Sequence, residues 1–209
     1  MLQHVFERAR AARSLSRVLI ATDDRRILKA ARDFGAEAVL TSPDHSSGTE
    51  RVAEAAVGSE EPIIINIQGD EPLLETGMID DLVEALQDDG IPMATLAHRE
   101  KDISRADSPD RVKVVVDREG FALYFSRSPI PSGATDHFLH HIGIYGFQRP
   151  FLTRFARLPA TRLERSESLE QLRALEHGFR IKILETGYSS LSVDSPADII
   201  IVESRINNE

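Results

Sequence analysis

The sequence predicts an α/β protein with a doubly wound, mostly parallel sheet. Through the first half of the chain, short apolar segments that suit buried strands alternate with segments of helical spacing. One apolar segment, residues 62–67, ends abruptly in Gly69-Asp70-Glu71-Pro72. Ligands of such sheets bind outside the carboxyl ends of the strands, so this turn is expected at the rim of a binding crevice. The length of 209 residues and the apolar fraction of 41% indicate one globular domain covering residues 1–209.

The helices are predicted from apolar residues that recur every three to four positions. Gly35 is placed to end the second helix, and Thr49 is expected to cap the third. A final helix is expected to begin near Pro196, with Ser195 as its cap. The other predicted helices cover residues 2–12, 25–34, 50–57, 78–86 and 168–177.

The strands are predicted from short apolar or β-branched runs bounded by turn residues. Residues 112–117 and 121–126 flank a turn at Gly120, which predicts an antiparallel hairpin. With residues 140–147, this hairpin forms an insertion of about residues 110–150 that interrupts the alternation of strands and helices. The remaining strands are predicted at residues 17–24, 38–40, 62–67, 92–97 and 180–184.

The composition excludes several classes of function. The absence of cysteine rules out disulfides and thiolate chemistry, and the net charge of −9 argues against binding to nucleic acid or an anionic membrane. No run of about eighteen apolar residues is present, and the first residues do not resemble a signal peptide. We therefore expect a cytoplasmic protein without nucleic-acid or membrane partners, and an anionic substrate would need a basic patch or a metal ion.

Two aspartates, Asp70 and Asp194, each follow an extended segment. Carboxylates from distant parts of the chain suit a hard cation such as Mg²⁺, which accepts oxygen ligands and retains waters. Two simpler interpretations stay open. Gly69-Asp70-Glu71-Pro72 is also a common polar turn, and a negative charge at Asp194 would stabilise the start of the last helix.

The histidines do not favour a zinc site. His140 and His141 are adjacent in a predicted strand, so their side chains point to opposite faces and cannot bind one ion together, with or without His137. Tyr145 lies four residues beyond His141 and shares its face. The polar loop of residues 46–51 suits a ribose or phosphate, although no Walker or dinucleotide-binding motif is present.

Seven short motifs occur in one order along almost the whole chain. They are Ala21-Thr22-Asp23, His45-x-Ser47-Gly48-Thr49-Glu50-Arg51, Asn66-x-Gln68-Gly69-Asp70-Glu71-Pro72, Ala122-Leu123-Tyr124-Phe125-Ser126-Arg127, His141-x-Gly143-Ile144-Tyr145-Gly146, Leu169-Glu170-Gln171-Leu172-Arg173 and Val193-Asp194-Ser195-Pro196. Together they closely resemble the 3-deoxy-manno-octulosonate cytidylyltransferases, also called CMP-Kdo synthetases.

The resemblance implies a nucleotide-diphospho-sugar transferase-like fold and a Mg²⁺-dependent transfer of CMP from CTP to the anomeric hydroxyl of Kdo. Pyrophosphate would be released, and CMP-Kdo would serve lipopolysaccharide biosynthesis. The resemblance also implies a homodimer formed through the antiparallel insertion.

By the same resemblance, the catalytic metal ligands are Asp70 and Asp194. Positions that match the family's sugar pocket are Gln68, His141, Tyr145, Glu170 and Gln171, and those near the nucleotide are Thr22, Asp23, Ser47, Gly48, Thr49 and Arg51. Arg127 is a further candidate, as a cation for the sugar carboxylate.

The sequence departs from the family pattern at its start. Members of the family begin with a buried strand and a basic, glycine-containing loop that grips the triphosphate, whereas this sequence starts inside the helix that follows the loop. We therefore expect these 209 residues alone to be poorly active. A related enzyme for amino-Kdo or a sialic acid is one alternative, and a non-catalytic dimerisation partner is another.

Overall fold

A computed structural model describes residues 1–188, 193 and 196–206 of the chain. It confirms the α/β class. Eight helices are described, and their bounds follow the apolar spacing of the sequence. They are α1 (Leu2–Arg10), α2 (Arg25–Asp33), α3 (Gly48–Ala55), α4 (Thr76–Ala85), α5 (Arg149–Phe155), α6 (Arg162–Glu167), α7 (Gln171–Glu176) and α8 (Pro196–Ile206). None of these is long and apolar enough to span a membrane.

The described strands form two sheets. They are β1 (Leu19–Thr22), β2 (Glu37–Leu40), β3 (Ile63–Asn66), β4 (Met93–Glu100), β5 (Lys113–Val116), β6 (Ala122–Ser126), β7 (Phe138–Gln148) and β8 (Lys182–Thr186). β1 and β2 pair in parallel. The other sheet has the order β6-β5-β7-β4-β8, and β3 also pairs with β7. Within it β4 and β8 are parallel, whereas β7 is antiparallel to both β4 and β5.

The chain divides into two compact units. The first contains residues 1–60, 66–81 and the described residues from 193 onward, and it holds the β1–β2 sheet. Its apolar core contains Phe6 of α1, Ile20 of β1 and Ala31 of α2. Gly35 follows α2 with a φ of 82°, a left-handed conformation that glycine adopts without strain, and so reverses the chain before β2.

The second unit contains residues 61–65 and 82–188, including nearly all of the larger sheet. The long strand β7 lies inside this sheet, and the rings of Phe147, Phe151 and Phe155 pack together where β7 continues into α5. Gly146 allows β7 to approach its neighbours closely, because a Cβ at this position would collide with Leu86 and crowd Ile65. These contacts make β7 the structural centre of the unit.

Outside residues 100–177, each predicted helix and strand has a counterpart in the described part of the chain, with ends that differ by a few residues. The predicted hairpin is confirmed, since β5 and β6 pair antiparallel around Gly120. The predicted helix of residues 168–177 is wrong at its start, because Ser168 adopts a left-handed conformation with φ of 53° and ends α6. α7 therefore begins only at Gln171. α5, α6 and a short 3-10 helix, Ile103–Asp107, were not predicted.

Candidate active site

The polar residues predicted for the nucleotide lie together in the first unit. Arg51 of α3 donates hydrogen bonds from its guanidinium to Thr41 Oγ1 at 2.6 Å and to Asp23 Oδ2 at 3.1 Å. Thr22, the last residue of β1, accepts a bond from the Asp24 N–H at 3.1 Å. Arg51 thus joins the carboxyl ends of β1 and β2, and it brings the Thr22-Asp23 segment to the loop that precedes α3.

The loop before α3 is organised by Ser47, which corrects one prediction. Ser47 has extended backbone angles and its hydroxyl accepts a hydrogen bond from the Glu50 N–H, so Ser47 rather than Thr49 is the N-cap. Helical geometry already begins at Gly48, and Thr49 lies inside the helix, where it is fully buried. A cap must sit just outside the helix to reach its free N–H groups, and this excludes Thr49.

Two linked hydrogen bonds connect Thr49 to Gln68, the one predicted sugar-pocket residue of the first unit. Asn66 Nδ2 donates to Thr49 Oγ1 at 3.1 Å, and Gln68 Nε2 donates to Asn66 Oδ1 at 3.0 Å. Gly48 leaves room for this arrangement, since a Cβ there would lie 3.1 Å from the Gln68 amide. Sequence reasoning missed Asn66, although its spacing of two from Gln68 at the end of β3 was a usable signal.

Asp70 follows β3 in a turn of the first unit. Its carbonyl accepts a hydrogen bond of 2.9 Å from the N–H of Val193, so these two distant parts of the chain meet. Asp194, the second predicted metal ligand, lies outside the described residues, as does the predicted cap Ser195. The described residues include no group of three or more histidine, aspartate or glutamate side chains arranged to hold a metal.

His141 and Tyr145 lie together in the second unit, as their spacing on one strand face predicts. Both are buried on β7, with ring centroids 5.4 Å apart, and the Phe125 ring packs edge-on against His141 at 5.1 Å. Burial lowers the pKa of His141 to about 3, so its ring is neutral at neutral pH and is not a cation. Burial, and then the nearby Glu170 carboxylate, raise the pKa of Tyr145 well above its usual range.

Glu170 and Gln171 stand at the start of α7. The electrostatic effect of Glu170 on Tyr145 shows that this helix start lies near the β7 pair. Gln171 is only 2% exposed, and no group in the described part of the chain forms a hydrogen bond with its Nε2. A buried amide donor without a partner costs about 1 to 3 kcal/mol, so it marks a place where a ligand would supply the acceptor.

Arg127 has a structural role in the second unit. Its guanidinium donates to the backbone carbonyls of Glu167 at 2.8 Å, Pro109 at 2.9 Å and Ser168 at 3.4 Å. The Glu167 carboxylate in turn accepts from the Arg127 N–H and from the Ser126 hydroxyl. The predicted contact of Arg127 with a sugar carboxylate stays a prediction, and the bonds above show how Arg127 fixes the chain between α6 and α7.

Comparison with known proteins places this chain among cytidylyltransferases. A family model described as cytidylyltransferase matches residues 1–183. The 3-deoxy-manno-octulosonate cytidylyltransferase of Trichlorobacter lovleyi is 46% identical over 221 residues, which cover 99% of this chain and 88% of the relative. The protein of the same name from Solibacter usitatus is 50% identical, over 95% of this chain and 81% of the relative.

Solved structures agree with the sequence comparisons. A CMP:2-keto-3-deoxy-manno-octonic acid synthetase complexed with CTP superposes with a TM-score of 0.94 and 39% identity, covering 99% of this chain and 87% of the other. A 4-diphosphocytidyl-2C-methyl-D-erythritol synthase from Anaerococcus prevotii has a TM-score of 0.65 over 99% of this chain and 85% of its own, and at 12% identity it shows the shared fold alone.

Proposed function

This chain belongs to the 3-deoxy-manno-octulosonate cytidylyltransferases, a family of nucleotidyltransferase enzymes, and on that premise we propose that it transfers CMP from CTP to Kdo. The anomeric hydroxyl oxygen of Kdo forms a bond to the α-phosphorus of CTP, the bond from that phosphorus to the β-phosphate oxygen breaks, and pyrophosphate leaves. The hydroxyl proton passes to solvent. The product would serve lipopolysaccharide biosynthesis. Cytoplasmic location stays a prediction.

The observation that carries the sugar assignment is the buried Gln171 amide. Its Nε2 has no hydrogen-bond partner in the part of the chain that the structure describes. Gln171 directly follows Glu170, whose carboxylate adds to the effect of burial in raising the pKa of Tyr145. A sugar rich in hydroxyls and bearing a carboxylate offers acceptors to such a donor. Gln68, fixed by Asn66, is proposed as a further contact to the sugar.

The cytidine triphosphate is assigned to the first unit. The supporting observation is that Arg51 links Asp23, Thr41 and α3, and so brings together the positions that match the family's nucleotide residues. Ser47 caps α3, and Gly48 and Thr49 are its first residues, at the positive end of the helix dipole, which favours an anionic ligand. These roles in nucleotide binding are proposals that rest on the family and on this arrangement.

Mg²⁺ is the proposed cofactor, held by Asp70 and Asp194. Asp70 fits this role as a hard oxygen donor that is partly accessible beyond the carboxyl end of β3. Its backbone carbonyl accepts a hydrogen bond from Val193, the residue that precedes Asp194. When bound, the ion would offset negative charge on the phosphates and lower the pKa of the attacking hydroxyl. The residues of the chain supply position, since phosphoryl transfer needs little covalent help from protein.

Homodimer formation is also proposed, through the segment of about residues 110–150. The supporting observation is the strand β6, which lies at one end of the larger sheet among the described strands. Its Leu123 is 62% exposed. A strand at a sheet edge with an exposed apolar side chain is a surface that protein partners commonly cover.

The sugar assignment is tested by replacing Gln171 with Leu, which keeps the size and removes the amide. We expect the KM for Kdo to rise about tenfold to a hundredfold, because one hydrogen bond to a charged group such as the sugar carboxylate contributes about 1.5 to 3 kcal/mol. The KM for CTP should change less than twofold. Steady-state kinetics measure both constants, in the 209-residue chain and in the same chain preceded by a family-type N-terminal strand and basic loop, here called the extended chain.

The matched control is Gln87→Leu, an exposed glutamine beyond the end of α4. It should leave both KM values unchanged. Equal KM values for Kdo in the wild-type and Gln171→Leu proteins would remove Gln171 from the sugar pocket and contradict the assignment.

A further inference from the structure

The hydroxyl of Thr95 lies at the centre of a buried cluster next to His141. Thr95 belongs to β4 and is fully buried. Its Oγ1 lies 3.0 Å from His141 Nε2, 2.7 Å from the Ile144 carbonyl oxygen and 3.0 Å from the Ile142 carbonyl oxygen. Three polar groups of β7 therefore converge on a single hydroxyl of the neighbouring strand.

An irregularity in the pairing of β4 and β7 produces this convergence. Thr95 pairs with Tyr145, but the next residue of β4, Leu96, pairs with Ile142. Two residues of β7, Gly143 and Ile144, are therefore extra relative to β4. Extra residues bend a strand and turn some of its carbonyl groups away from the neighbouring strand. These carbonyl oxygens then need a hydrogen-bond donor from a side chain. Thr95 supplies that donor.

Counting protons determines which way the bond to His141 runs. A threonine hydroxyl has one proton, and the two carbonyl oxygens can only accept. If that proton pointed to His141, two carbonyl oxygens would face the hydroxyl oxygen with no proton between them. The hydroxyl therefore donates to the carbonyls, principally to the closer Ile144 oxygen, and accepts from His141. Nε2 of His141 must carry a proton.

The other ring nitrogen then follows from the charge of the ring. His141 is buried among apolar rings, with Phe125 edge-on at 5.1 Å and Tyr145 at 5.4 Å, and burial holds its pKa near 3. The neutral imidazole has a single N–H, which Thr95 holds at Nε2. Nδ1 is left with a lone pair and can only accept a hydrogen bond.

We propose that Thr95 is a positioning residue that holds His141 as the neutral Nε2–H tautomer, so that Nδ1 accepts a hydrogen bond from a hydroxyl of the sugar substrate. The identity of the ligand in this inference rests on the proposed function, whereas the tautomer of His141 follows from the hydrogen bonds of Thr95. The tautomer also gives His141 a defined role within the predicted sugar pocket. A neutral acceptor repels a carboxylate, so the carboxylate of the sugar must be bound by other groups and His141 selects a hydroxyl.

The test uses protein labelled with ¹⁵N in its histidine rings, whose nitrogen shifts distinguish the two neutral tautomers and the charged form. His141→Gln identifies the His141 signals by their loss. In the wild type without substrates, we expect a protonated Nε2 and an unprotonated Nδ1 at pH 7. In Thr95→Val, the buried Nε2–H has no acceptor, so at least half of His141 should change to the Nδ1–H tautomer.

The KM for Kdo tests whether the tautomer of His141 affects binding of the sugar. In Thr95→Val of the extended chain, the KM for Kdo should rise about tenfold while the KM for CTP stays within twofold. Thr95→Ser keeps the hydroxyl and should restore both the tautomer and the KM for Kdo. This rescue also answers the concern that Thr95→Val disturbs β7, because a loss of packing alone would not move a proton between ring nitrogens.

Three results would overturn the inference. One is a wild-type His141 that carries its proton on Nδ1 or on both nitrogens. Another is a Thr95→Val protein with an unchanged tautomer and a raised KM, which would make Thr95 merely structural. The third is a changed tautomer with an unchanged KM for Kdo. Absence of any turnover of Kdo by the wild type, with the Nε2–H tautomer present, would instead contradict the proposed function.

Discussion

Replacing Asp70 with Asn is expected to lower kcat/KM for CMP-Kdo formation by about a thousandfold. The proposed ion stabilises charge that develops on the phosphates by several kcal/mol, and about 4 kcal/mol corresponds to three factors of ten in rate. An amide keeps the size of the carboxylate but loses its charge, so it binds Mg²⁺ weakly. The Mg²⁺ concentration that gives half-maximal activity should therefore also rise. Initial rates of the extended chain across a Mg²⁺ titration measure both effects.

A matched control separates the site from the general charge of the protein. Asp81→Asn removes one negative charge from an exposed position of α4, and we expect its kcat/KM to stay within twofold of the wild type. An Asp70→Asn protein with the wild-type Mg²⁺ dependence and less than a threefold loss of kcat/KM would show that Asp70 does not hold the ion.

Replacing Arg173 with Met is expected to destabilise the fold by about 3 to 5 kcal/mol. The guanidinium of Arg173 donates to the Glu164 carboxylate, and the two side chains are 5% and 12% exposed. Removing Arg173 leaves the buried Glu164 carboxylate without its cationic partner, which is much costlier than losing a surface pair. Because this ion pair ties α7 to α6, loss of Arg173 should also loosen Gln171. Urea unfolding followed by circular dichroism measures the change in stability.

The pH dependence of this loss has a defined sign. Burial alone would raise the pKa of Glu164, but its bonds to Arg173 and to the Thr161 N–H outweigh burial and hold it below the ordinary value of 4.5. A depressed carboxyl pKa contributes stability above the unfolded value, and that stability is lost as pH falls through the folded value. The loss of unfolding free energy in Arg173→Met should therefore be largest near pH 7 and become smaller below about pH 4.5.

Arg154→Met is the control for the loss of an arginine. Arg154 is exposed on α5 and lies over the Phe179 ring, a contact that contributes about 1 kcal/mol or less. Replacing Glu164 and Arg173 together by Met should recover much of the stability, since no buried charge then remains. If Arg173→Met lost no more stability than Arg154→Met, the ion pair would not be a main support of α7.

Much of the fold could be predicted because its signals are local. The apolar run of residues 63–65 and the turn after it define β3, and Gly120 between two β-branched runs defines the β5–β6 hairpin. The face shared by His141 and Tyr145 follows from the two-residue period of a strand. His141 and Tyr145 share a face in spite of the irregularity in β7, because two extra residues, unlike one, leave the two-residue alternation unchanged.

Other features depend on contacts that the sequence does not display. Ser47 and Thr49 are both common cap residues, and the backbone angles of the folded loop show that Ser47 is the cap. The left-handed Ser168 ends α6, so α7 begins at Gln171, three residues after the predicted start of that helix. Thr95 and His141 are 46 positions apart, so their hydrogen bond becomes visible only once β4 and β7 are paired.

The contact of Arg127 with the sugar carboxylate stays a prediction, but the neighbours of Arg127 in the fold could not be read from the sequence. Arg127 is a candidate because a sugar carboxylate needs a cationic donor that the other predicted pocket residues supply only partly. In the folded chain its guanidinium donates to three backbone carbonyls, which no pattern of residue types indicates. A sequence shows which side chains are polar, but their hydrogen-bond partners are determined by tertiary packing.

The most direct test of the central claim is the reaction itself, followed by ³¹P NMR of CTP with Kdo and Mg²⁺, with N-acetylneuraminic acid as the competing acceptor. The 209-residue chain and the extended chain are assayed side by side. We expect the extended chain to form pyrophosphate and a CMP sugar phosphodiester in equal amounts with Kdo, and neither product when EDTA removes the metal. Turnover with N-acetylneuraminic acid in preference to Kdo, or no turnover by either form of the chain, would contradict the account.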